Sequence, residues 1–147
     1  MRVADVLQDK NDQPLITVRA AESLRDAIGK LDHERIGATL VVNDAGNLVG
    51  MLSERDLIGV LAEYGERALK ANVGALMTRR VYACRPDDAL ADAMAWMVRY
   101  RVRHLPVVED GRVRGLLSIG DAVKHLGKPT DVDPMVLEDA GIRVGAG

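Results

Sequence analysis

The chain has 147 residues, with 22 acidic and 20 basic side chains and a formal net charge of −2 at pH 7. This balance lacks the basic excess of nucleic-acid-binding domains, and apolar runs of a few residues are far shorter than the roughly 20 that span a bilayer. We therefore expect neither nucleic acid nor a membrane as a partner. The single cysteine, Cys84, excludes an intrachain disulfide, and the N-terminus has no apolar signal-peptide core, so we expect a cytoplasmic protein.

The first half of the chain alternates strand-like and helix-like segments. Its predicted elements are a helical turn over 3–7, a turn over 11–14, a strand over 15–18, a helix over 23–33, strands over 39–42 and 48–52, and a helix from 53. Gly46 lies in the turn between the paired strands and is expected to have a positive φ. The apolar stripe expected to be buried on the last helix consists of Leu57, Ile58, Val60 and Leu61.

The second half repeats this order. Its predicted elements are an apolar segment over 73–78, a strand over 81–84, a helix start at 86–88, a helix over 89–100, hairpin strands over 105–108 and 113–117, and a helix from 118. Apolar residues cover more than one face of the 89–100 helix, which predicts contact with a second subunit. Cys84 is expected to be a packed small hydrophobe.

The two halves are copies of one unit. A shift of 66 residues, falling to 65 after the hairpin turn, aligns them. Matched positions include Arg19 and Arg85, Leu24 and Leu90, Arg35 and Arg101, Ser53 and Ser118, and Asp56 and Asp121. The chain is therefore a tandem duplication.

A serine, an aspartate and a helix start coincide in each copy. Ser118 ends a predicted strand as a good N-cap, and Asp121 follows in the first helical turn. Helix N-termini offer N–H donors to phosphate, and a nearby aspartate can accept hydrogen bonds from ribose hydroxyls. Arg103 and His104 could add charge-assisted bonds. The alternative is that Ser-x-x-Asp only caps the helix, although its recurrence at Ser53 and Asp56 favours a binding site.

The second halves of the two copies, VVNDAGNLVGMLSERDL and HLPVVEDGRVRGLLSIGDAV, resemble a pair of CBS (cystathionine β-synthase) domains. The resemblance covers about residues 1–127, and short stand-alone bacterial CBS-pair proteins are the most similar. It implies an α/β (α+β) fold of two β-α-β-β-α repeats packed with pseudo-twofold symmetry: CBS domain 1 over 1–65, CBS domain 2 over 66–127 and a C-terminal arm over 128–147. It also favours a homodimer, and implies a regulatory module that binds adenine nucleotides in clefts between the copies.

The two sites are expected to differ. The second has Arg103 and His104 where the first has Gly37 and Ala38, so the second is better equipped for a terminal phosphate, as in AMP, ADP or ATP. The first has more room and Arg55, and could take a nucleotide without that clamp or a dinucleotide such as NAD(H). The remaining candidate residues are Thr17, which in the family borders the base, the apolar walls Ile36, Val102 and Ile119, and the aromatic Tyr82.

No pattern in the sequence indicates catalysis. His33, His104 and His125 are scattered, and neither Cys84 nor any serine lies in a triad-like setting. We therefore expect no enzyme. The prediction is a nucleotide sensor whose occupancy changes contacts with an unknown protein target. The alternative is a dimerisation scaffold that acts without a ligand.

Overall fold

The computed structural model describes residues 1–10 and 15–126, so the predicted turn over 11–14 and the arm over 128–147 lie outside the described residues. Its elements are α1 (Val3–Asp9), β1 (Thr17–Arg19), α2 (Leu24–Glu34), β2 (Ala38–Val42), β3 (Leu48–Ser53), α3 (Glu54–Tyr64), a 3-10 helix (Gly65–Lys70), α4 (Val73–Leu76), α5 (Leu90–Tyr100), β4 (His104–Glu109), β5 (Arg112–Ser118) and α6 (Ile119–His125). The mixed helix and strand content confirms the α+β class. None of the helices described is long and apolar enough to cross a bilayer.

The first half forms a three-stranded sheet in the order β1-β2-β3, with β1 parallel and β3 antiparallel to β2. The predicted cap of α2 is present, because the Ser23 hydroxyl accepts a hydrogen bond of 3.1 Å from the Asp26 N–H. Gly46 has the expected positive φ, of 83°. The helix α2 ends at Arg35 with φ 55°, and Arg101 ends α5 with φ 57°, so the two copies share even this uncommon backbone conformation.

The second half has the predicted hairpin of β4 and β5, but the predicted strand over 81–84 is wrong. Only Cys84 joins the hairpin, as a single parallel bridge to Val107. Its N–H bonds the Pro106 carbonyl, and its carbonyl accepts from the Val108 N–H, both at 2.9 Å. A further rung toward Tyr82 would need a backbone N–H at residue 106, which proline lacks.

The start of α5 also differs from the prediction. The helix begins at Leu90 with Ala89 at the N-cap and no side-chain cap, not at 86–88. Asp88 instead closes a turn, because its carboxylate accepts a 2.7 Å hydrogen bond from the Arg85 N–H. A short acidic side chain satisfies a turn amide as readily as a helix amide, which is why the sequence pattern was ambiguous here.

The molecule has two apolar cores, and each contains residues from both sides of the predicted boundary between the repeats. Val3 and Val6 of α1 are buried in the core of the second half. Ala68 and Val73 are buried in the core of the first half. The leading segment of each copy therefore completes the apolar core of the other copy. The boundary predicted between residues 65 and 66 divides the two repeats, not the two cores, and it stays a prediction.

Two glycines allow this exchange of leading segments. A Cβ at Gly115 would lie 2.7 Å from a Leu7 methyl carbon, and one at Gly50 would lie 2.5 Å from the Met77 sulfur and 2.9 Å from the Thr78 carbonyl oxygen. Backbone hydrogen bonds of 2.9 Å run in both directions between Met51 and Thr78. The hairpin strands β3 and β5 thus each carry a glycine at the point where the exchanged segment presses on the strand.

The helix faces that lie outside these cores are partly apolar. On α3, Leu57 is buried and Val60 half-buried, but Ile58 is 71% and Leu61 37% exposed, so the prediction that all four residues are buried is wrong for two of them. The α5 residue Val98 is 64% exposed. The exposure of Val98 agrees with the expectation that apolar residues cover more than one face of the 89–100 helix.

Candidate functional site

Two hairpin-to-helix junctions carry the predicted serine and aspartate pairs. In the second junction (residues 118–121), the Asp121 N–H donates to the Ser118 hydroxyl and the Ser118 N–H donates to the Asp121 carboxylate, each at 3.0 Å. The first junction (residues 53–56) has the same reciprocal bonds between Ser53 and Asp56, at 3.2 and 2.9 Å. Both are capping boxes, so the helix-capping role is present whatever else these residues do.

The expectation of free backbone N–H groups at the junctions is largely wrong. The N–H of Ile119 donates to the Arg103 carbonyl at 2.8 Å, and the N–H of Glu54 donates to the Gly37 carbonyl at 2.9 Å. The capping serines take the N–H two residues further on in each case. With these donors used inside the fold, an anion bound at a junction must be held mainly by side chains.

A lysine that sequence reasoning missed lies at the second junction. The Lys10 ammonium is 2.8 Å from a carboxylate oxygen of Asp121 and donates to the Leu116 carbonyl at 2.9 Å. The two side chains are 27% and 22% exposed. Lys10 follows α1, so this contact depends on the exchange of leading segments. Burial by itself would raise the pKa of Asp121, but the hydrogen bonds from Lys10 and Ser118 lower it below its ordinary value.

His104 completes a polar cluster at the second junction. It begins β4 directly opposite Ser118 in the antiparallel register. Burial, and next the charge of Lys10, lower the pKa of His104 below its ordinary value; Asp121 opposes this shift and Arg103 adds to it. The lowered pKa favours the neutral imidazole in the chain without a ligand, and the charge-assisted bond expected from His104 stays a prediction. The imidazole can still donate or accept a hydrogen bond.

A further ion pair links α1 to α6, the region that the contact of Lys10 with Asp121 also joins. His125 bonds the Asp9 carboxylate through Nε2 at 2.7 Å and the Asp121 carbonyl through Nδ1 at 2.9 Å. Because both partners are acceptors, both ring nitrogens must donate, and the hydrogen bonds to Asp121 and Asp9 raise the pKa of His125. Nothing near His125 in the sequence indicates its link to α1.

The first junction has a neutral partner where the second has a lysine. The Thr78 hydroxyl is 3.1 Å from the second carboxylate oxygen of Asp56. The space beside Gly37 is occupied, since the Glu54 carboxylate lies 3.5 Å from where a Cβ would be. Ala38 is buried in β2, and Arg55 is exposed on α3. The first junction therefore contains the cation Arg55, but its aspartate is bonded to a neutral hydroxyl instead of a lysine.

The remaining predicted site residues lie on several elements, and Ile119 belongs to the second junction itself. Thr17 lies in β1 opposite Leu40, and the Tyr82 ring is stacked on Tyr100 with ring centroids 4.1 Å apart. All three predicted apolar walls are partly buried against the cores: Ile36 packs on the core of the first half, and Val102 and Ile119 pack on that of the second. The structure thus brings together Arg103, His104, Ser118 and Asp121, and adds Lys10 to them.

A separate cleft lies beside the turn between β4 and β5. It has a volume of about 540 Å³ and is lined by residues 83–87 and 108–111. None of the junction residues lines it. In the first half, Arg19 forms an ion pair with Asp44 at the positions that correspond to Arg85 and Asp110. The cleft therefore marks a difference between the copies rather than the predicted site.

Cys84 has the environment of a structural residue. It is buried, and burial, with a smaller contribution from the charge of Asp88, raises the pKa of its thiol to about 12. A thiol this difficult to ionise is a poor nucleophile and a poor metal ligand. Within residues 1–10 and 15–126, the structure shows no group of three or more histidine, cysteine or acidic side chains that could hold a metal ion.

Two copies of one α+β unit, which exchange leading segments and each present a Ser-x-x-Asp helix start, define a tandem-repeat α+β module. The chain belongs to the CBS domain family: the family model matches residues 3–63 and again 73–128. This confirms the resemblance that the two repeated segments indicated. Proteins built from such pairs are typically regulatory modules, although some relatives are parts of enzymes.

Solved structures support the fold along most of the chain. A CBS-domain containing protein from Agrobacterium tumefaciens is 36% identical, with a TM-score of 0.76 over 84% of this chain and 91% of that one. CBSX2, solved in complex with AMP, is 28% identical, with a TM-score of 0.72 over 85% and 95%. The CBS domain pair of protein MJ0100, in complex with 5′-methylthioadenosine and S-adenosyl-L-methionine, is 27% identical, with a TM-score of 0.74 over 86% and 96%.

Curated relatives are longer than the matched region. The mitochondrial CBS domain-containing protein CBSX3 of Arabidopsis thaliana is 28% identical over 83% of this chain and 63% of its own length. A protein of Methanocaldococcus jannaschii, MJ1225, is 30% identical over 79% of this chain but only 41% of its own length. The chain thus spans less than two thirds of these relatives.

Proposed function

We propose that this protein is a regulatory module that binds an adenosine phosphate, AMP in the first instance, at the second junction. The cluster of Asp121 with Lys10, Arg103 and His104 carries the proposal. A carboxylate can accept two ribose hydroxyls, while a lysine and an arginine can bind phosphate through charge-assisted hydrogen bonds. The AMP complex of CBSX2, a protein of the same fold, supports this choice of ligand.

The first junction is proposed to bind a less strongly anionic adenosine compound. Asp56 is available to ribose hydroxyls through the same geometry, but it is bonded to the neutral Thr78 instead of a lysine, and the cation beside it is the exposed Arg55. The methylthioadenosine and S-adenosylmethionine complex of MJ0100 shows that a relative accepts such ligands. NAD(H) at this position remains a prediction, to be tested with the same ligand panel.

Calorimetry on the full chain tests the proposal. AMP, ADP, ATP, NADH and adenosine are titrated separately, and AMP is expected to bind. Asp121→Ala should weaken AMP binding tenfold or more, because a hydrogen-bonded charged group contributes about 1.5–3 kcal/mol. Ser23→Ala is the matched control: it removes an N-cap from α2 and should lower the melting temperature without changing the affinity. An Asp121→Ala variant that melts lower but binds AMP normally would leave Asp121 with only its capping role.

The sensing mechanism proposed here is a change in contacts between the two copies. A ligand that displaces Lys10 from Asp121 alters a contact between α1 and α6, and α1 belongs to the core of the second half. Ligand occupancy can therefore shift the equilibrium between conformations that a protein target distinguishes. Hydrogen exchange of α1 and α6 with and without AMP measures this. Identical exchange in both states, with AMP bound, would contradict the sensing mechanism.

The second candidate function is a dimerisation scaffold that needs no ligand. The exposed apolar residues Ile58 of α3 and Val98 of α5 favour association through helices, and we propose a homodimer in either case. Analytical ultracentrifugation of the chain and of Val98→Glu tests the assembly. A dimer whose melting temperature does not change with millimolar AMP, ATP or NADH would favour the scaffold.

A cytoplasmic location is part of the proposal.

A further inference from the structure

We propose that Lys10 makes the second junction select phosphorylated adenosine ligands over neutral nucleosides, because the lysine must exchange Asp121 for a ligand phosphate when a ribose binds. The inference rests on the proposed function and names the group that sets its ligand class. It follows from where the ammonium lies, from what else holds it, and from the difference between the two junctions.

Lys10 is bonded to one of the two carboxylate oxygens that a ribose diol would use. Its ammonium is 2.8 Å from Asp121 Oδ2, the same oxygen that accepts the Ser118 N–H at 3.0 Å. A ribose diol that reaches this carboxylate competes with an ion pair already in place. Breaking the ion pair costs little binding free energy if the ligand offers the ammonium another anion, and much more if it does not.

The Lys10 ammonium stays beside the junction when its ion pair with Asp121 is broken. It also donates to the Leu116 carbonyl at 2.9 Å, which holds it beside the junction. The Lys10 side chain is only 27% exposed, so water replaces the lost carboxylate incompletely. A phosphate on the 5′ side of the ribose can supply the missing negative charge, whereas adenosine brings only hydroxyls.

The backbone near Lys10 is anchored independently of the ligand. Asp9, the preceding residue, is paired with His125 at the opposite end of α6. Opening the Lys10 to Asp121 contact therefore leaves α1 attached to α6. The exchange needs movement of one long side chain rather than release of the whole helix.

The first junction has the same capping box, but no lysine among the described residues is bonded to its aspartate. There the neutral Thr78 hydroxyl donates to Asp56 Oδ1, while Asp56 Oδ2 accepts the Ser53 N–H. A ribose that displaces the Thr78 hydroxyl leaves no cation without its anionic partner, so this junction does not require a phosphate. The demand for phosphate is thus confined to the copy whose partner is a cation.

Calorimetry with AMP and adenosine tests the inference. Asp56→Ala is the background, because it should weaken binding at the first junction as Asp121→Ala does at the second. With Lys10 present, AMP should bind about ten to a hundred times more tightly than adenosine, the range expected of a hydrogen-bonded charge. Lys10→Met should bring the two affinities within about threefold, with weaker AMP and tighter adenosine binding. Lys10→Arg, which keeps the charge, should preserve the preference.

Lys124→Met is the matched control, because it removes a positive charge from α6 at an exposed position and should leave the ratio unchanged. Thermal unfolding of each variant shows that it is folded. If Lys10→Met binds AMP and adenosine with the same ratio as the background chain, the inference is overturned while the proposed function stands. If the unaltered chain binds neither compound, the proposed function fails and the inference fails with it.

Discussion

Replacing Gly50 by alanine tests the exchange of leading segments. A Cβ there would be 2.5 Å from the Met77 sulfur and 2.9 Å from the Thr78 carbonyl oxygen. Met77 can rotate, but the carbonyl belongs to backbone that is hydrogen-bonded to β3 in both directions. We expect a loss of about 2–3 kcal/mol in the free energy of unfolding, within the range for overpacking, and a melting temperature lower by roughly 8–12 °C.

Gly115→Ala should cost less, about 1–2 kcal/mol, because the obstacle is only the Leu7 side chain. The pair gives a sharper test through rescue. Leu7→Ala should recover part of the loss of Gly115→Ala, whereas Met77→Ala should recover little of the loss of Gly50→Ala, since the carbonyl remains. Double-mutant cycles from urea unfolding measure both coupling energies.

The helical glycines Gly29 and Gly59 are the controls. Neither has an atom within 4 Å of an added Cβ, and both lie inside helices. Alanine there should stabilise the chain by about 0.5–1 kcal/mol. The reasoning is refuted if Gly50→Ala is as stable as the unaltered chain while these controls behave as expected.

Three further predictions concern individual side chains. His125→Gln should remove one pH dependence: the protonated imidazole stabilises the fold fully below about pH 6.5, and this contribution is lost as pH rises through the raised pKa, so denaturation curves of the two chains should converge at high pH. Cys84, with its pKa raised to about 12, should react with a thiol reagent at pH 8 only after unfolding. Thr39→Val should cost about 1–2 kcal/mol in urea unfolding, because its buried hydroxyl donates to the Ile16 carbonyl at 2.8 Å.

The local part of the structure could be predicted from the sequence. The hairpin of β4 and β5 and the caps at Ser23, Ser53 and Ser118 depend on residues within a few positions of one another. The repeat was visible because matched residues recur at a fixed spacing. These features need no knowledge of which surfaces meet.

The errors arose where distant segments decide the outcome. Lys10 contacts Asp121 across 111 positions, and nothing near Lys10 in the sequence indicates that partner. The missing strand before α5 depends on the absent N–H of Pro106, a residue of a different strand. Exposure of Ile58 could not be read from helical periodicity, since periodicity places apolar residues on a face without showing whether the fold covers it.

The exchange of leading segments has a consequence for how such a chain can arise by duplication. A lone ancestral copy would have left a gap in its own core at the place where α1 or α4 now packs. Exchange of the first helix with an identical neighbour would fill that gap. Fusion of two such neighbours would then place the exchanged helices within one chain, and afterwards each half is free to change its own residues.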